Sequence, residues 1–217
     1  ITGELGNYRS HNVEGYFGGP VTKNVQVRLS FRTEDSDEGW QVSNTRGEKQ
    51  GEIHRYGVRG ALAWQPADQV SVDLSWNAWT NRSDTVVAQG IGFTPATAAS
   101  PFNAPGLVAY IAAHPPTDAT QADWAPLSTR GANIGAGLGL GGPLRENDQF
   151  NAGKLRVKWD VSDHTRLISL TSYNHLTRDA LFDWSGAPYE ILIQQANGDI
   201  KSVAEDLHLE GDTEKAN

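Results

Sequence analysis

Polar and apolar residues alternate along the segment from Val25 to Glu34. Val25, Val27, Leu29, Phe31 and Thr33 fall on one side, and Gln26, Arg28, Ser30, Arg32 and Glu34 on the other. A period of two predicts an extended strand with one apolar and one wet face. The rhythm returns from Val70 to Thr80, where only Trp79 interrupts the polar side, and again over His54 to Trp64 and Asn151 to Trp159. Weaker strands are expected over Ile1 to Tyr8, His11 to Gly19, Arg166 to Arg178 and Ile200 to Leu209. In the Arg166 segment the inward face is open, because Leu167 and Tyr173 compete with Ile168, Leu170 and Leu176. No segment has a convincing amphipathic helical period. The expected fold class is all-β, an antiparallel up-and-down meander of about eight long strands.

The connections differ in length by turns. Residues 19–24, 65–69 and 160–164 are short and rich in turn formers, whereas 36–51, 81–148 and 179–199 are long. The stretch 81–148 is rich in Ala, Gly and Pro, and a connection of that size is uncommon in a compact domain unless it is functional. Short turns at one end and long loops at the other suit a transmembrane barrel with periplasmic turns and extracellular loops. Trp64, Trp159 and Phe17 each stand near a short turn, as the aromatic girdle of such a barrel would. Trp capping the core of a soluble β-sandwich is the alternative.

Charge sharpens the choice. The chain of 217 residues carries 18 Lys and Arg against 26 Asp and Glu, a net charge of −8, without a basic run. That balance argues against nucleic acid as a partner. Yet Arg28, Arg32, Arg55, Arg59, Lys154, Arg156 and Lys158 all project from the polar strand faces, as in a hydrated, charge-lined lumen. The acids sit in loops such as Glu34-Asp35-Ser36-Asp37-Glu38. With no Cys, disulfides and thiolate chemistry are excluded; with no Met, a processed or excised piece without a signal peptide is expected.

Several runs are similar to known sequences. Gly6-Asn7-Tyr8 through Val13-Glu14-Gly15, Gly19-Pro20-Val21, Val25 to Ser30 and Asp37-Glu38-Gly39-Trp40 resemble the first barrel strands of TonB-dependent outer-membrane receptors. Leu170-Thr171-Ser172-Tyr173, Phe182-Asp183-Trp184-Ser185-Gly186 and Glu205-Asp206-Leu207-His208-Leu209 resemble later strands and a loop of that family, in the same order. The resemblance implies a bacterial outer-membrane location and part of a large barrel around a plug. It also implies TonB as the energy-transducing partner and a nutrient cargo: an iron chelate, cobalamin or an oligosaccharide. Neither the plug nor a TonB-contact segment is recognisable in this chain, so residues 1–217 read as a partial barrel with 81–148 as a long extracellular loop. Two alternatives stand beside it: a soluble β-sandwich for carbohydrate binding or adhesion, and a complete eight-stranded outer-membrane barrel.

Motifs for catalysis and cofactors are weak. Residues 137–142 fit the spacing G-x-G-x-x-G, but no buried parallel strand precedes them and Pro143 follows. Asp35 to Gly39 begins like a calcium loop, yet Arg46 stands where the closing Glu belongs. The six His residues show no zinc-binding spacing. No enzyme, metal or cofactor is expected. Candidates for ligand contact are the loop aromatics and cations Trp40, Arg46, Trp124, Arg130, Trp184 and Tyr189, which suit stacking plus hydrogen bonding. Packing of loops on one another is the competing role for these side chains.

Overall fold

A computed structural model describes residues 1–92, 94, 105–130 and 140–212. Its main element is an eight-stranded antiparallel sheet in which each strand pairs with the one named after it below. The strands are β1 (Thr2–Leu5), β2 (Ser10–Thr22), β3 (Val25–Ser36), β6 (Ile53–Ala67), β7 (Val70–Asn81), β9 (Asp148–Ser162), β10 (Thr165–Asp183) and β11 (Ile193–Gly211). All eight strands expected from the period of two are present; β1 is shorter than the expected Ile1 to Tyr8, and most of the others are longer at both ends. Among the described residues β1 and β11 each pair with one neighbour only, so the sheet is open.

Three hairpins close through two residues each: Lys23-Asn24, Asp68-Gln69 and Asp163-His164. Such tight links hold successive strands in antiparallel register. Pro20 and Pro66, expected in turns, lie inside β2 and β6 instead. The register shifts between Pro20 and Thr22 and between Trp64 and Ala67. Irregular pairing at these points accommodates a residue that has no N–H to give the ladder.

Register assigns every side chain to a face. One row crosses the sheet as Phe17, Leu29, Gly60, Trp76, Gly153, Tyr173 and Val203, and the next as Gly19, Val27, Leu62, Leu74, Leu155, Thr171 and Glu205. This apolar face therefore takes Leu167 and Tyr173 from β10, while Ile168, Leu170 and Leu176 join the opposite, cationic face. Trp64, Trp159 and Phe17 share the apolar face within a few rows of the short turns.

Among the described residues no second layer covers the apolar face: Leu74 is 47% exposed, Trp76 45% and Trp159 48%. The buried apolar cluster lies elsewhere, among the loops and at the loop-side ends of β10 and β11. Val87, Ala122, Trp124, Leu140, Leu144 and Leu181 form it, with Ile193 packed against it. Within this cap β4 (Gln41–Ser43), β5 (Lys49–Gln50) and β8 (Gln121–Ala122) make a three-stranded sheet, β5-β4-β8.

A helix, α1 (Pro105–Ala113), also belongs to the cap and corrects the expectation of none. Its sequence PGLVAYIAA is apolar almost throughout, so it has no polar face and leaves no helical period to read. Residues 81–148 are thus partly a folded unit, tied to loop 36–51 by the parallel pairing of β4 with β8.

Candidate functional site

The cationic face is hollow. Its rows run Glu14-Arg32-Gly57-Trp79-Phe150-Leu176, then Tyr16-Ser30-Arg59-Asn77-Ala152, then Gly18-Arg28-Ala61-Ser75-Lys154, then Pro20-Gln26-Ala63-Asp73-Arg156. Two cavities open mainly on this face. One of about 490 Å³ is bordered by Arg28, Arg32, Arg59, Tyr16 and Trp79. The other, about 560 Å³, lies nearer the short turns, between Arg28, Lys154, Arg156 and Asp73. All seven cations expected on the lumen side, Arg28, Arg32, Arg55, Arg59, Lys154, Arg156 and Lys158, lie on this one face.

Charge pairing divides the face into two zones. Towards the loops, Arg32 meets Glu14 at 3.3 Å and Glu34 at 2.7 Å, and Arg55 meets Glu34 at 3.6 Å. Arg178 likewise stands 3.6 Å from Glu146 and 3.9 Å from Asp148. Towards the turns, Arg59, Lys154, Arg156 and Lys158 make no ion pair with any described residue, and Arg28 instead lies 4.3 Å above the Tyr16 ring. In the row of Arg32, Trp79 stacks on Phe150 with ring centres 5.7 Å apart.

The loop candidates fall into two groups. Arg46 and Trp124 meet in the cap. The Arg46 guanidinium lies 5.5 Å above the Trp124 ring, donates to the Trp124 carbonyl at 2.8 Å and stands 3.3 Å from Asp123. Trp124 is 3% exposed and belongs to the apolar cluster. Arg130 is buried and spends its donors on the carbonyls of Ala125 and Gly142, at 2.7 and 2.6 Å. Trp40 covers Gly51, where an added Cβ would come within 2.6 Å of the indole. Tyr189 packs edge-on to Tyr110 at 6.4 Å, and burial raises its hydroxyl pKa. These five build the cap.

Trp184 differs. It is 44% exposed, stacks on Phe182 at 5.5 Å and donates from Nε1 to Gln194 at 2.8 Å, so one ring face is pinned and the rest is open. The Arg178 guanidinium lies over the same Phe182 ring, 5.7 Å from its centre.

Residue type alone gave no sign of Asp123. Its carboxylate is fully buried and accepts from Ser43 at 2.7 Å, Thr45 at 2.8 Å and Tyr110 at 2.9 Å. Burial pushes the Tyr110 hydroxyl up to about 12. A second buried carboxylate, Asp183, accepts backbone N–H groups from Ala125 and Ser185, each at 2.8 Å.

The apparent calcium loop is otherwise engaged: Asp35 binds His54 at 2.7 Å, Asp37 meets Arg9 at 3.4 Å and Glu38 pairs with Lys49. Among the described residues no group of three or more acidic or His side chains is arranged to hold a metal ion. Of the glycine-rich run, 137–139 lie outside the described residues, and Leu140 enters the cap's apolar cluster. Comparison with known protein families finds no family model that matches the chain, and comparison with curated proteins finds no match.

Proposed function

We propose that this chain forms part of the wall of a bacterial outer-membrane transport barrel of the TonB-dependent kind, which takes up a nutrient with energy delivered through TonB. The observation that carries the reading is the sheet's two-sidedness. Strands of 12 to 19 residues expose a face that is apolar from β3 to β9 and gives way to Thr171 and Glu205 on β10 and β11, with no layer of the described residues upon it, while the opposite, cationic face lines a hollow. A tilted membrane-spanning strand needs about 9 to 11 residues, and lipid-facing positions alternate with lumen-facing ones. Each large apolar side chain moved from water into hydrocarbon is worth about 1.5 to 3 kcal/mol, so such a face seeks lipid or another apolar partner.

In this reading the short turns face the periplasm, the folded cap is extracellular, and the cationic face meets plug and solute. The open edges of β1 and β11 support a larger ring over a self-closed eight-stranded barrel, since unpaired edges are costly in lipid. The β-sandwich alternative needs a second apolar layer, and the described residues supply none.

The test is membrane partition of the full-length protein. After carbonate washing and phase separation in detergent, it is expected in the membrane and detergent fractions. A protein that stays monomeric in plain buffer without detergent ends this reading.

A further inference from the structure

The turn-side hollow of about 560 Å³ has a small-residue floor and a charged wall. Gly18, Ala61, Ala63 and Ser75 leave the sheet low there, whereas Arg28, Lys154 and Arg156 rise around it. An added Cβ on Gly18 would come within 2.5 Å of the Val27 carbonyl oxygen, so that part of the floor has room only for glycine. Among the described residues Lys154 and Arg156 have no carboxylate partner, and the one acid in the wall, Asp73, is the cross-strand neighbour of Arg156. Three cations against one carboxylate leave the hollow with a surplus of two positive charges. Elsewhere the same chain pairs its arginines readily, as at Arg32, Arg166 and Arg178. A cavity of this size fits a small solute, within the ~300 to 1,000 Å³ typical of ligand sites.

We infer that the hollow walled by Arg28, Lys154, Arg156 and Asp73 is a binding site for a small polyvalent oxyanion, a solute bearing two or more phosphate or carboxylate groups. Arg156 presents a planar fork to such oxygens and Lys154 a compact charge. Ser75, facing Lys154 across the strands, supplies a neutral hydroxyl donor. Asp73 opposes the anion and tunes the affinity downward, so a solute can be released as well as captured. The inference rests on the proposed barrel only for the water-filled bore that brings solute to the site.

The experiment is calorimetric titration of the full-length protein in detergent micelles with pyrophosphate and, separately, citrate, at low and high salt. Binding of either probe is expected, weakening as salt rises, and the better probe identifies the oxyanion type. The double substitution Lys154→Gln and Arg156→Gln is expected to weaken binding at least tenfold. Asp73→Asn is expected to tighten it about threefold or more, a gain that misfolding cannot mimic. Lys158 lies on the same face outside the hollow, and Lys158→Gln is expected to change affinity less than twofold.

Absence of binding by both probes overturns the inference. So does equal weakening by Lys158→Gln, which marks a diffuse field, or an oligoglutamate peptide that binds the hollow and is not displaced by either probe, which marks a protein segment as its occupant. Failure here with the protein firmly in the membrane fraction leaves the barrel reading intact; binding by a protein that proves water-soluble removes the barrel and keeps the site.

Discussion

Ser43 donates to the buried carboxylate of Asp123 at 2.7 Å although 80 positions separate them in the chain. That bond sits beside the parallel pairing of β4 with β8 and beside the Arg46 guanidinium, so one carboxylate joins loop 36–51 to the connection between β7 and β9.

Asp123→Ala removes the acceptor of three hydroxyl donors and leaves Arg46 facing a gap. Breaking a buried pair of this kind costs about 3 to 5 kcal/mol. The expected result is a cap cut rapidly by protease within 82–147 while the strands stay protected, as read by mapping the cleavage sites. Asp123→Asn, which keeps one acceptor oxygen, is expected to lose less.

The Tyr110 hydroxyl, a donor to Asp123, makes the cap sensitive to alkali. Its pKa in the fold is raised to about 12 from an ordinary value of 10. A raised tyrosine pKa means that the protonated form is favoured by folding, so its contribution is whole below pH 10 and declines as pH climbs from 10 through about 12. Trp fluorescence of the cap followed over that window is expected to change in the native protein. Tyr110→Phe, which has no proton to lose, is expected to flatten that part of the profile.

Gly51 is held at a φ of +96° with the Trp40 ring where a side chain would go. Gly51→Ala adds both backbone strain and a clash, at a cost of about 1 to 3 kcal/mol. Faster hydrogen exchange in loop 36–51 is the measurement; a variant as protected as the native chain would contradict the packing of Trp40 described above.

In the proposed barrel, neighbouring positions on β7 separate lipid from water. Leu74 lies in the middle of the apolar face, in one row with Leu62 and Leu155, whereas Ser75 points into the hollow. In a bilayer Leu74→Arg is expected to cost about 2 to 4 kcal/mol. Ser75→Arg is expected to cost much less, because that side remains hydrated. Reversible unfolding in lipid vesicles gives both values, and equal costs would place water on both faces.

The long strands of the main sheet were legible from sequence because a period of two, sustained over about ten residues in the clearest of them, encodes strand and face together. Val25 to Ser36 is the clearest instance, and its register with β2 and β6 follows the alternation residue by residue. In Thr165–Asp183 the alternation is broken by apolar residues of both parities, and pairing with β9 and β11 alone assigned Leu167 and Tyr173 to the apolar face. Helix α1 was hidden because uniform apolarity has no period, and β4, β5 and β8 because two or three residues are too few to carry one.

For the candidate site the division is similar. The cationic stripe from Arg28 to Lys158 could be read from spacing, since alternation alone places those residues on one face. The roles of Arg46, Trp124 and Arg130 could not, because an exposed aromatic that binds solute and a buried one that holds loops together have the same local sequence. The chain by itself determined strand, turn and sidedness, all of which depend on neighbours a few residues away. Only the tertiary structure decided which loops meet around Asp123, which cations lack a carboxylate partner among the described residues, and that most of the buried core sits in the cap rather than on the sheet. Those outcomes depend on contacts between segments 50 to 100 residues apart, such as Thr85 with Leu181 at a separation of 96, and no local pattern encodes them.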